Sequence, residues 1–219
     1  MFRMTSKVIT LTQKKQIEQA VVVLKKDGVV AYPTDTVYGL GAAMNNLNAV
    51  ERIFEVKGRP KGMALPLLAA DREQIRKIAK NIPETAWQLI DKFMPGGLTI
   101  ILQKADNVAD IITGGSKTIG VRIPNHPIPI ALIKGLGQPI VGTSANLSGQ
   151  PSALTAEEVA RQIGDRVDMI IDGGRSPGGV ESTVVNLSGE KPKIIRVGAI
   201  SPEEIKLICP DIEVAGGKP

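Results

Sequence analysis

Short apolar runs that read as buried strands alternate along this chain with stretches whose apolar residues recur at helical spacing, and no break in composition interrupts the alternation. Residues 13–27 carry Ile17, Val21 and Leu24 on one helical face, with Gly28 standing where a C-terminal cap belongs. Residues 29–33 then read as a strand, 47–57 as a helix with Val50, Ile53 and Phe54 inward, and 64–69 as a strand. Further helices are expected over 72–79, 84–93, 128–134, 155–163 (with Thr155 as N-cap) and 202–208. Further strands are expected over 98–102, 118–123, 139–142, 169–172, 182–187 and 193–197. Interleaving of this kind predicts one α/β domain built on a mixed sheet, spanning residues 1–209, with 210–219 as a loose tail.

Composition narrows the function. None of the apolar runs approaches the roughly 20 residues that cross a membrane, and residues 1–10 lack the apolar stretch of a secretory signal, so a cytoplasmic location is expected. One cysteine, Cys209, excludes an internal disulfide, and with His126 as the single histidine no cage for a transition metal is expected. Lys and Arg number 27 against 22 Asp and Glu, and the resulting +5 fits an anionic partner. Aromatic residues make up only 3%, which argues against a platform for stacking bases.

The stretch AYPTDTVYGLGAA (31–43) opens like a nucleotide-binding turn, yet Met44 stands where a dinucleotide fingerprint needs its third glycine. Gly39 and Gly41 either simply permit a tight turn or act as hinges of a functional loop. The polar Thr34, Asp35, Thr36 and Tyr38 crowded after a buried strand are what the first reading leaves unexplained, since such loops often bear function. VKGRP (56–60) is either a glycine-capped helix end or a phosphate clamp made of Lys57 and Arg59. TIGVRIP (118–124) places Arg122 inside an apolar strand, where it requires an acidic partner or an anionic ligand. In PIVGTSANLSG (139–149), Ser144 and Asn146 either cap a turn or offer hydroxyl and amide groups to a phosphate. The glycine-rich DGGRSPGGVESTVVNL (172–187) contains no nucleophile elbow, and His126 reads as a turn residue, so a Ser-His-Asp triad is not expected. Arg196 adds a cation after the strand at 193–197. Lys, Arg, Ser, Thr and Asn without a covalent nucleophile suit the binding and polarising of phosphates.

Taken in order, PTDTVYGLG, KGRP, MPGGLTIIL, VRIPNHP, TSANLSG, IDGG…GVEST and IIRVGAIS resemble the YrdC/Sua5 family, the L-threonylcarbamoyladenylate synthases, over residues 14–208. The resemblance implies a single domain with a twisted, mostly open mixed β-sheet flanked by helices around a basic cavity. It also implies a reaction in which L-threonine, bicarbonate or CO2 and ATP give L-threonylcarbamoyl-AMP and pyrophosphate, toward t6A in tRNAs reading ANN codons. Carried over by motif, Lys57, Arg59, Thr118, Ser144, Asn146, Ser152 and Arg196 would contact ATP, with Lys57 and Arg59 as the catalytic cations. Thr36, Arg122, the Gly142 backbone and Ser182 would hold threonine, Arg122 taking its carboxylate. Mg2+ would arrive with ATP, and downstream threonylcarbamoyl-transfer proteins would use the product.

Two departures accompany the resemblance. LPLLAA (65–70) lacks the histidine that many members carry after Lys-x-Arg-Pro, and Met63 stands where many present a polar residue to ATP. The linker and second domain of longer members are not expected, so the cover of the site should come from within the domain. Two rival readings are a tRNA- or double-stranded-RNA-binding module without catalysis, which the charge of +5 permits, and the carbamoyl-transfer role of related domains in hydrogenase maturation. The second rival comes with cysteine-rich fingers, which one cysteine cannot build.

Overall fold

The computed structural model describes residues 9–215. Its first helix, α1 (Leu11–Lys25), begins two residues before the apolar periodicity indicates, because Thr10 and Gln13 form a reciprocal capping box. The Thr10 N–H donates to Gln13 Oε1 at 3.0 Å, and the Gln13 N–H to Thr10 Oγ1 at 3.1 Å. The helix ends before Gly28, and Asp27, at φ 61°, is the left-handed residue that turns the chain. Gly28 serves close packing instead: a Cβ there would come within 2.2 Å of Val23 Cγ1.

The strands β1 (Val30–Tyr32), β2 (Gly39–Ala43), β3 (Leu67–Leu68), β4 (Ala79–Lys80), β5 (Leu98–Lys104) and β6 (Thr118–Arg122) are followed by β7 (Ile140–Ser144), β8 (Met169–Ile170), β9 (Thr183–Asn186), β10 (Lys193–Arg196) and β11 (Glu213–Val214). They form one sheet in the order β11-β10-β9-β5-β6-β3-β7-β2-β1-β8, with β4 also paired to β5. Parallel pairs (β5 with β9, β3 with β6, β1 with β8) mix with antiparallel ones (β1 with β2, β2 with β7, β5 with β6), as the interleaved sequence predicts. β3 is shorter than expected. Pro66 has no N–H for a ladder, and the Leu65 N–H is spent on Ile112 O at 2.7 Å.

The sheet corrects the reading of Gly39 and Gly41 as hinges, because both lie in β2, a wholly buried strand. Tyr32 and Val30 of β1 face them in register, and the Tyr32 ring fills the space their missing side chains leave. A Cβ on Gly39 would stand 2.9 Å from Tyr32 Cε2, and one on Gly41 2.8 Å from Tyr32 Oη and 2.7 Å from Val141 O. Glycine is required here by the approach of neighbouring atoms rather than by a turn.

One face of the sheet presents Leu40, Leu67, Ile100, Val121 and Val141 to the main core, where α2 (Leu47–Lys57), α3 (Arg72–Ile78), α4 (Glu84–Phe93), α5 (Asp110–Thr113), α7 (Ala156–Ile163) and α8 (Pro202–Lys206) pack. Each such fully buried side chain contributes about 2 kcal/mol. On the other face, α1 and α6 (Pro127–Leu136) cover only the end that carries Val30, Tyr32, Leu68 and Ile140. The rest of that face stays open, and there the cavity forms.

The C-terminal stretch is not loose as far as Ala215: Ile212 is buried and β11 pairs in parallel with β10, closing that sheet edge. The expectations for the first eight residues and for 216–219 fall outside the described residues. Among the described residues no helix is long and apolar enough to cross a membrane.

Candidate active site

A cavity of about 580 Å3 lies on the open face of the sheet. Its floor is cleared by glycines on three strands, Gly39 of β2, Gly120 of β6 and Gly142 of β7, with Leu68 of β3 among them. Leu68 rests directly on Gly142, where a Cβ would approach Leu68 Cγ to 2.6 Å. The walls come from the loop after β1, the turn after α2, the loop after β7, and the segment that enters β9.

The turn after α2 is a glycine cap and a carrier of cations at once. Gly58 adopts φ 58°, its N–H reaches Glu55 O at 3.1 Å, and the Arg59 N–H reaches Phe54 O at 2.9 Å. Lys57 is buried, and its ammonium donates to Ser144 O, to Asn146 O at 2.9 Å and to Asn146 Oδ1 at 3.1 Å. These acceptors occupy its three protons, so Lys57 pins the Ser144–Asn146 loop and places its charge behind it. Burial, followed by the nearby Arg59 cation, pushes the Lys57 amine down to about 8, with Glu181 opposing. Arg59 donates to Ala64 O at 3.0 Å, while its buried Nε has no hydrogen-bond partner among the described residues. Burial holds its guanidinium below the usual arginine range.

Arg122 finds the carboxylate that its strand position demands in Asp35, on the loop after β1. Its Nη2 donates to Asp35 Oδ1 at 2.7 Å, its Nη1 to Thr36 Oγ1 at 3.1 Å and its Nε to Gly96 O at 2.9 Å. Burial pushes the Arg122 pKa down, and the Asp35 charge opposes that shift. A guanidinium has five N–H groups, so two of them remain for a ligand.

Arg196 backs the third wall. It donates to Ser182 O at 2.8 and 3.1 Å and pairs with Glu181, whose other oxygen accepts from Ser152 Oγ at 2.9 Å. Ser182 Oγ lies 2.9 Å from Thr99 Oγ1.

Of the residues singled out in the sequence, Thr36, Lys57, Arg59, Arg122, Gly142, Ser144, Asn146, Ser182 and Arg196 all line this one cavity. Ser152 stands one hydrogen bond behind it, on Glu181. Thr118 is apart: it occupies the far end of β6 and bonds Ser116 Oγ at 2.8 Å. His126 caps α6, its Nδ1 accepting from the Ile128 N–H at 3.3 Å. The sequence marks Thr34 and Asp35 only as polar members of a loop that bears function, and assigns no role to Thr99 or Glu181. Asp35 and Glu181 sit inside the motifs PTDT and VEST, whereas nothing local marks Thr99, which reaches the site by strand pairing. Met63 lines the cavity and is half exposed.

The Sua5/YciO/YrdC family model, described as telomere recombination, matches residues 22–198. A threonylcarbamoyl-AMP synthase of Bacillus subtilis is 43% identical over 207 residues, which are 94% of this chain and 60% of that protein. The structure of Pyrococcus abyssi Sua5 complexed with L-threonine superposes with a TM-score of 0.89 at 43% identity, covering 92% of this chain and 59% of that one. Escherichia coli YciO superposes with a TM-score of 0.80 at 32% identity, covering 88% of this chain and 93% of that one. This chain thus spans about 60% of the Bacillus and Pyrococcus proteins, and the part it spans contains the cavity. With the sheet order, the glycine-cleared floor and the motif residues gathered on one wall system, the chain belongs to the Sua5/YciO/YrdC family.

Proposed function

We propose that this chain is an L-threonylcarbamoyladenylate synthase, joining L-threonine, CO2 or bicarbonate and ATP into L-threonylcarbamoyl-AMP and pyrophosphate. One observation carries the reading: a single cavity gathers Arg59, Ser144 and Asn146 together with Arg122, Thr36 and Ser182, with no base-activated nucleophile among them. The threonine-bound Pyrococcus relative supports an amino-acid subsite.

In this reading the free N–H groups of Arg122 take the threonine carboxylate, with Thr36, Ser182 and the Gly142 backbone around the rest of the molecule. Arg59, Ser144, Asn146 and Arg196 face ATP, Ser152 supports them through Glu181, and Thr118 would contact only the outermost part of the nucleotide. The threonine ammonium loses a proton to solvent, and the free amine adds to CO2 to give a carbamate with release of a second proton to solvent. A carbamate oxygen then forms a bond to the α-phosphorus as the bond to the bridging oxygen breaks, and the electron pair leaves with pyrophosphate. No enzyme nucleophile is consumed. The chain's contribution is alignment and charge, which in a closed site account for several powers of ten in rate.

Mg2+ would ride on the triphosphate. Glu181 is the one carboxylate on the cavity wall and is already bonded to Arg196 and Ser152, and among the described residues no group of three or more His, Cys, Asp or Glu gathers to hold a metal. Bound Mg2+ would supply charge neutralisation of the leaving pyrophosphate. The product, a labile mixed anhydride, would pass in the cytoplasm to proteins that transfer its threonylcarbamoyl group to tRNA. A module that only binds RNA is not favoured, because these cations turn into a cavity instead of spreading over an outer face.

The test is incubation with labelled bicarbonate, L-threonine and ATP. The labelled anhydride should form and should disappear in Arg59→Ala. Undiminished pyrophosphate release without threonine would reject the assigned substrate.

A further inference from the structure

The Thr36 hydroxyl of the cavity has a fixed hydrogen-bond polarity, and Thr34 sets it. Thr34 Oγ1 carries one proton, and the backbone Val37 O, 2.7 Å away, takes it. Its lone pairs receive the Thr36 N–H at 3.1 Å and face Thr36 Oγ1 at 3.0 Å. Since Thr34 has no second proton, the Thr36 hydroxyl must donate across that contact. Thr36 Oγ1 also accepts from Arg122 Nη1 at 3.1 Å. What it has left for the cavity is one lone pair and no proton. Both threonines are buried and both line the cavity, so water cannot rearrange the pair freely.

The opposite polarity holds at Ser182. Thr99 Oγ1 and Ser182 Oγ, 2.9 Å apart, own two protons between them and spend one on each other. Ser182 Oγ also accepts from Arg196 Nη2 at 3.3 Å. Whichever hydroxyl donates inward, the pair has one proton to turn outward.

We propose that Thr34 is a positioning and specificity-determining residue that makes Thr36 an acceptor only, so that the ammonium end of an α-amino acid is steered to Thr36 and its carboxylate to Arg122 and the Thr99–Ser182 pair. A ligand with an oxygen acceptor in place of the amine would set two acceptors against each other at Thr36, which is a penalty against the wrong ligand rather than a gain for the right one. The inference rests on the threonine-binding reading of this cavity.

The experiment compares Thr34→Val, which keeps the shape and removes the acceptor, with Thr34→Ser, which restores it. Affinities are measured by calorimetry for L-threonine, for its deaminated 2-oxo analogue 3-hydroxy-2-oxobutyrate, whose C2 oxygen can only accept, and for ATP. Thr34→Val should weaken L-threonine about tenfold, leave ATP unchanged, and leave the deaminated analogue unchanged or improved, narrowing the discrimination between the two acids. Thr34→Ser should bind L-threonine as the parent chain does. Parent-like affinity of Thr34→Val for L-threonine overturns the proposal, and so does an equal loss for the two acids, which would mark damage to the whole subsite. A parent chain that binds no L-threonine would instead reject the substrate assignment itself.

Discussion

Arg122 and Asp35 form a buried ion pair at 2.7 Å, their side chains only 9% and 15% exposed. Asp35 also accepts from the Asn125 N–H at 3.0 Å, so the pair ties the loop after β1 to the end of β6. A charge placed this deep is tolerated because its partner is there, and removing one partner costs more than removing both.

Asp35→Asn should therefore lower unfolding free energy by about 3 kcal/mol, whereas the double change Asp35→Leu with Arg122→Met should recover much of that loss and remain unable to bind threonine. Urea denaturation together with threonine titration checks both halves. Parent-like stability of Asp35→Asn would remove the claim that the pair is structurally required.

Lys57 provides a pH signature. Its folded-state pKa, about 8, lies below the 10.5 of an unfolded lysine, so the ammonium is present below pH 8 and is lost from the folded chain above it. Between those values the unfolded state binds more protons, and folding stability should rise with pH over that window. Function should move the other way, because a neutral amine loses one of the donors that hold the Ser144–Asn146 loop. ATP affinity is expected to fall on an alkaline limb with its midpoint near pH 8, measured with a nonhydrolysable analogue. A flat profile from below pH 8 to above the 10.5 of a free lysine would contradict the role given to Lys57.

Gly142 tests the floor. In Gly142→Ala the new methyl meets Leu68 Cγ at 2.6 Å, an overlap that forces either Leu68 or β7 into the cavity. Overpacking of this kind costs about 1–3 kcal/mol. Thermal unfolding should come earlier and the KM for threonine should rise, and adding Leu68→Val should restore part of both. Failure of Leu68→Val to help either quantity would mean that the contact does not set the floor.

Much of this architecture was legible because strand and helix periodicities are local. The apolar face of α1 and the glycine cap of α2 each announce themselves within a few residues. The exceptions come from contacts that no window contains. β2 looked like a turn because its glycines answer to Tyr32 on the neighbouring strand. β11 looked like a loose end because its support is the edge of β10. In the site, the cations were visible one by one, since a buried arginine or a lysine at a helix end is conspicuous in sequence. Their partners were not: Asp35 stood out as a polar loop residue but not as the carboxylate of Arg122, and Thr99 and Glu181 gain a role only when the sheet brings distant segments together. The direction of the Thr36 proton follows from Thr34 and its bond to Val37 O.

The most direct measurement is pyrophosphate release from ATP as a function of L-threonine and bicarbonate, with parent chain, Arg59→Ala and Arg122→Ala side by side. The account predicts release that requires both threonine and bicarbonate in the parent, falls by at least about a hundredfold in Arg59→Ala, and shows a steeply raised KM for threonine in Arg122→Ala. Release that proceeds without threonine, or that both substitutions leave intact, would contradict it.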